Sequence, residues 1–122
     1  DKSEMMLGYF TKYGDGGADL FPIADLYKTE VRSLAKYLCI PDKIINKKSS
    51  ARLWKAQTAE GEIGMKYEEI DNILKHLENN SPQSVSNSNS NTKLNRNNVS
   101  KIKSLLEKNE HKQNMPPICK LQ

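Results

Sequence analysis

Residues 79–98 read NNSPQSVSNSNSNTKLNRNN, with eight asparagines and five serines. A segment of this composition cannot bury enough apolar surface to offset the entropy of ordering it. It predicts a disordered insert over residues 78–98. That insert confines any packed structure to residues 1–77, plus a closing element at 99–122. Apolar residues make up 36% of the chain, low for a self-sufficient fold. The chain also opens on Asp1 inside a helical pattern, so it reads as part of a domain.

The net charge of +4 suggests nucleic acid until it is divided. Residues 1–77 hold twelve basic and twelve acidic side chains, whereas residues 78–122 hold seven and three. The whole excess therefore lies in the tail, and the balanced first part offers no steering field for nucleic acid. No run approaches the roughly 20 apolar residues of a membrane span. Cys39 and Cys119 have no metal-ligand spacing and read as free thiols of a reducing, cytoplasmic compartment.

Apolar periodicity predicts three helical faces. Tyr27, Val31, Leu34, Ala35 and Leu38 form one over residues 26–38. Ile70, Ile73, Leu74 and Leu77 form another, and Val99, Ile102, Leu105 and Leu106 a third. Residues 3–12 read as the end of a helix with Met5, Met6, Tyr9 and Phe10 inward, broken by Gly14, Gly16 and Gly17. "ADLFPI" is short and extended, because Phe21 precedes Pro22. Pro41 stops one helix and suits the first turn of another, "PDKII". Residues 46–64 read as an irregular polar loop, long enough to carry function. Two prolines forbid helix in "EHKQNMPPICKLQ".

Several polar residues admit two readings. Glu4 is a solvated helix residue or a hard-oxygen ligand for Mg2+. Lys12, Asp15 and Asp19 surround the Gly-Asp-Gly-Gly turn. They either dress a turn that favours Asp, or line a loop that brings backbone close to a ligand. Lys28 opposes the helix dipole at its N-terminus unless an anion lies between them. Ser49 and Ser50, beside two lysines, hold phosphate or simply belong to a polar loop. The bland reading of His111 and Lys112 is solvent exposure.

Three stretches together carry a resemblance. "SEMMLGYFTKYGDGGADLFPIADLYKTEV", "PDKIINKKSSARLWKAQTAEGEIGMKYEEIDNIL" and "NEHKQNMPPI" resemble the C-terminal half of an NAD synthetase catalytic domain. The likeness covers residues 1–77 and returns at 98–118, with the Asn/Ser stretch as an insertion. "FTKYGDGGAD" is its most specific part.

The resemblance implies an α/β fold, a doubly wound parallel sheet of the PP-loop ATP-pyrophosphatase (adenine nucleotide alpha hydrolase-like) type. This chain would be its mostly helical C-terminal part. It implies ATP-dependent amidation of deamido-NAD to NAD through an adenylate, with ammonia or glutamine-derived ammonia as nitrogen donor, in a homodimer. Carried over residue by residue, it implies Glu4 as the Mg2+ ligand and Lys12 and Asp19 on deamido-NAD. Lys28 and Ser50 fall on ATP, and His111 and Lys112 on deamido-NAD. It makes the 46–64 loop a lid. The family's Ser-Gly-Gly-x-Asp-Ser nucleotide loop is not in this sequence, so these residues alone are expected to be inactive. The competing readings are a related PP-loop amidating enzyme for another carboxylate, and a non-catalytic dimerisation or interaction module.

Overall fold

A computed structural model describes residues 1–80, 94–114 and 119–120. Most of the Asn/Ser-rich stretch and both C-terminal prolines lie outside those residues. The described residues form six α-helices and two short 3-10 helices, with no strand. The doubly wound sheet is thus not formed among them. "ADLFPI" instead passes into two successive turns, closed by Ala24 N–H to the Phe21 carbonyl (3.2 Å) and Leu26 N–H to that of Ile23 (3.3 Å).

Helix α1 (Lys2–Leu7) begins where the Asp1 carboxylate accepts the Glu4 N–H at 3.0 Å. It ends at Gly8, whose φ of 69° supplies a left-handed cap. The helix expected through residue 12 therefore stops five residues early. Leu7, not Met5 or Phe10, is its buried apolar residue. The glycine turn then holds a 3-10 helix, Asp15–Gly17.

Helix α2 (Lys28–Tyr37) and α3 (Asp42–Ile45) follow the predicted pattern in extent, with Pro41 as the N-cap of α3. Their burial departs from it. No residue of α2 is buried, and Leu34 and Leu38 are exposed. The loop after α3 departs too, because α4 (Ala59–Ile63) lies within it. Thr58 caps α4 by accepting the Gly61 N–H at 3.1 Å, and Gly64 ends it at φ 73°. Ala59 and Ile63 are buried, so residues 57–65 are anchored in the core.

Helix α5 (Tyr67–Asn79) is the centre of the molecule. Tyr67, Ile70, Ile73 and Leu74 are wholly buried, and Ile102 of α6 (Arg96–Asn109) meets them. Each such side chain is worth about 1.5–3 kcal/mol of transfer free energy. Both helices trim the expected insert. Helix α5 runs on to Asn79, and α6 begins at Arg96 behind the Asn95 cap, which accepts the Asn97 N–H at 2.9 Å. The chain then tightens into a 3-10 helix, Glu110–Lys112. None of the helices is long and apolar enough to cross a membrane, among the described residues. Cys39 and Cys119 are both free and exposed.

Candidate functional site

A cavity of about 910 Å³ opens between the end of α1, the glycine turn, the loop before α4 and the C-terminal 3-10 helix. It gathers Glu4, Lys12, Asp15, Ser49, Ser50 and Lys112 from the residues singled out in the sequence. Lys28, Asp19 and His111 are not in its lining.

Lys28 nevertheless belongs to it through Glu4. Its ammonium donates to Glu4 Oε1 at 2.6 Å, also pairs with the Asp1 carboxylate, and lies 5.3 Å from the centre of the Tyr67 ring. The anion that a lysine at a helix N-terminus calls for is thus partly supplied by α1. Ser49 Oγ donates to the same Glu4 oxygen at 3.0 Å. Burial pushes the Glu4 carboxyl up. The Lys28 hydrogen bond and charge, with the Ser49 hydroxyl, act against that, and the carboxyl lies below the ordinary value. Glu4 is therefore ionised and oriented, with Oε1 shared by two donors. Ser50 Oγ accepts the Arg52 N–H at 3.0 Å, which shapes the loop and leaves its own hydrogen for another acceptor.

The glycine turn divides its acidic residues. Asp15 closes the turn by accepting the Thr11 N–H at 3.0 Å and lines the cavity. Asp19 is exposed. The C-terminal pair also divides. Lys12 donates to the backbone carbonyl of His111, so it is the main chain of His111 that meets the turn. Lys112 Nζ donates to the Gly8 carbonyl at 2.5 Å and the Phe10 carbonyl at 3.0 Å, over the Phe10 ring. A cation there suits the carbonyl end of α1. Asn109 and Gln113 add donors to the carbonyls of Leu7, Met5 and Met6. The tail is thereby clasped to the start of the glycine turn.

Several lining residues escaped the sequence reading. Gln57, which is buried, accepts the Leu53 N–H at 2.6 Å and donates to Glu62 at 2.5 Å, fixing the loop wall. Trp54 stands 58% exposed at the rim. Tyr9 lines the cavity, and its hydroxyl, like that of Tyr67, is buried without a hydrogen-bond partner. Burial raises both phenols, with the charge of Glu62 adding to it at Tyr9 and that of Glu4 at Tyr67. Both stay protonated and able to donate.

No group of three or more acidic, histidine or cysteine side chains converges among the described residues. Glu4 offers its carboxylate with Ser49 Oγ on it, and the Asp1 carboxylate shares the same Lys28 ammonium. That arrangement fits Mg2+, which takes one or two carboxylates and completes its shell with water and substrate phosphates.

The model of one family, NAD synthase, matches residues 1–116. An NH3-dependent NAD+ synthetase of Sulfurisphaera tokodaii is 50% identical over 99% of this chain and 43% of its own. One of Archaeoglobus fulgidus is 46% identical over 99% of this chain and 44% of its own. Among solved structures, an NMN synthetase from Francisella tularensis superposes with a TM-score of 0.79 at 32% identity. That match covers 99% of this chain and 44% of the other. The chain thus spans less than half the length of these relatives.

Proposed function

The chain belongs to the NAD synthase family, and from that premise we propose that it is the C-terminal half of a ligase domain making NAD from deamido-NAD, ATP and ammonia. The observation that carries this is the single cavity holding Glu4, Lys12, Ser50 and Lys112, with Lys28 locked on Glu4. Lys12 and Lys112 on the wall of a groove of that size, with Lys28 behind Glu4, suit a reaction that brings several anions together.

In the proposed reaction the nicotinate carboxylate oxygen bonds to the α-phosphorus of ATP, and pyrophosphate leaves. Ammonia then bonds to the acyl carbon, AMP leaves, and one ammonia proton is lost to give the amide. Lys28 and the Ser50 hydroxyl take ATP phosphate oxygens, where positive charge offsets the charge that develops on phosphorus-bound oxygen. Lys12 lies on the wall formed by the glycine turn, where it takes deamido-NAD. Asp19, His111 and Lys112 are assigned to deamido-NAD as well, which requires Lys112 to share its ammonium with the α1 carbonyls. Glu4 would hold Mg2+, which supplies charge neutralisation between phosphates when bound. The relatives' names favour ammonia over glutamine as the direct nitrogen donor. The doubly wound sheet, the glycine-rich nucleotide loop and a homodimer belong to the remainder of the proposed enzyme, in the cytoplasm.

The test is NAD and AMP formation by the whole polypeptide that carries this chain, given ATP, Mg2+, deamido-NAD and ammonium, beside Lys12→Ala. Equal amounts of NAD and AMP are expected, with kcat/KM reduced about a hundredfold in the variant. A parallel reaction with nicotinate mononucleotide separates this from the mononucleotide activity of the Francisella relative. Preference for that substrate, or no turnover with either, would sink the reading.

A further inference from the structure

We propose that Asp71 is a positioning residue. It holds Glu4 and Lys28 in register by joining α1 and α2 at one buried carboxylate. The inference rests on the ATP-dependent reading above, and it assigns a role to two residues, Asp71 and Ser3, that line no part of the cavity.

Asp71 is 2% exposed. It makes no ion pair with any described cation. A charge in that position is costly unless hydrogen bonds and dipoles compensate it. The compensation comes entirely from α1 and α2. Ser3 Oγ donates to Asp71 Oδ1 at 2.6 Å, and the Thr29 N–H donates to Oδ2 at 2.8 Å. Ser3 Oγ in turn accepts the Lys28 N–H at 2.9 Å. The first two amides of α2 are therefore capped by a carboxylate 42 residues further along the chain, directly and through a serine of α1.

Local sequence does not supply this cap. The N-cap position of α2 is Tyr27, whose side chain has no capping geometry of the Ser, Thr, Asp or Asn kind. Packing does not call for an acid there either, since the neighbours of Asp71 on α5 are the wholly buried Ile70, Ile73 and Leu74. What the carboxylate does fix is the placement of the two chemical residues. Ser3 precedes Glu4, and Thr29 follows Lys28. The two anchored backbones carry the two side chains that meet at 2.6 Å. The negative charge also offsets the helix dipole, which otherwise disfavours an ammonium at the first position of α2. Without Asp71, the Ser3–Lys28 bond between α1 and α2 loses its anchor on α5, which loosens the register of Lys28 on Glu4.

The experiment compares Asp71→Asn, Ser3→Ala and Ser3→Thr in the whole polypeptide, with Leu74→Ala as a core control. Each is measured for melting temperature, for KM of every substrate and for Mg2+ dependence. Asp71→Asn is expected to lower kcat/KM for ATP about ten- to a hundredfold and to raise the Mg2+ needed for half-maximal rate. KM for deamido-NAD and ammonium should stay within about twofold. Ser3→Ala should show the same pattern more weakly, and Ser3→Thr, which keeps the hydroxyl, should restore it. Leu74→Ala should lower the melting temperature without singling out ATP.

Equal losses for all substrates in Asp71→Asn and Leu74→Ala would reduce Asp71 to a structural residue and overturn the inference. If the wild type forms no NAD, the functional reading fails separately, and calorimetry with Mg2+-ATP then decides. Binding at least tenfold weaker in Asp71→Asn supports the inference. Equal binding, or none by the wild type, overturns it.

Discussion

At Gly8 the backbone takes φ 69°, and a Cβ there would fall 2.3 Å from Asn109 Cβ. Two separate requirements meet at one residue: a left-handed cap for α1, and passage of α6 close against it. Gly8→Ala should therefore cost about 2–4 kcal/mol, the sum of a left-handed alanine and an overpacked contact. Urea unfolding of the whole polypeptide measures it. Asn109→Ala should not rescue the variant, because the clashing atom is the Cβ that alanine retains. Recovery in that double variant would show that the side-chain amide, not the backbone, sets the constraint. The sequence made the glycines of the turn at 14–17 conspicuous as helix breakers. Gly8 is masked by aromatics on its C-terminal side that continue the helical spacing, so its cap was not legible. Asp71 and Ser3 were illegible for a different reason. They are buried polar partners 68 residues apart, and no periodicity links them.

Among the elements, α2, α5 and α6 were legible because each is ten residues or longer and repeats its apolar face for at least two turns. Helix α4 has five residues, too few for a period. Only its Thr58 cap and Gly64 stop marked it. Its presence shortens the segment free to act as a lid. Residues 57–65 are pinned by Gln57, Ala59, Ile63 and Met65, all buried, which leaves 46–56. That part carries strain, with Arg52 and Ala56 at φ 56° and 64°. It also carries Trp54, the chain's single tryptophan, at the cavity rim. Closure over ATP and deamido-NAD should bury that indole, blue-shift its emission and protect residues 46–56 from protease. The comparison is the wild type against Trp54→Phe, which identifies the responding indole in the whole polypeptide. A spectrum and a cleavage rate indifferent to both substrates would show that the segment is a fixed wall.

At the scale of the molecule, the puzzle is the apolar stripe of α2. Tyr27 at its start is buried in the core, yet Leu34 and Leu38 at its far end are exposed among the described residues. Leu38 is 59% exposed, and Ile44 of α3 is 57% exposed. Phe21 and Ile23, before α2, are exposed as well. Exposed apolar side chains gathered into a patch signal a contact surface. The matched relatives have more than half their length beyond the part that aligns here. The doubly wound sheet expected from the resemblance is not formed among the described residues, and this chain covers 44% of the solved neighbour. We infer that the remaining portion of such a polypeptide covers α2 and α3. Leu38→Lys and Ile44→Lys should then act with opposite sign in two contexts. In the 122-residue chain alone they should reduce self-association and binding of an apolar dye, because they break an exposed patch. In the whole polypeptide they should destabilise by about 2 kcal/mol or more, because a lysine is forced into a buried contact. Sedimentation, dye fluorescence and urea unfolding report the two contexts. If both variants are neutral in the whole polypeptide, the face is open to solvent there, and the stripe must serve an intermolecular contact instead.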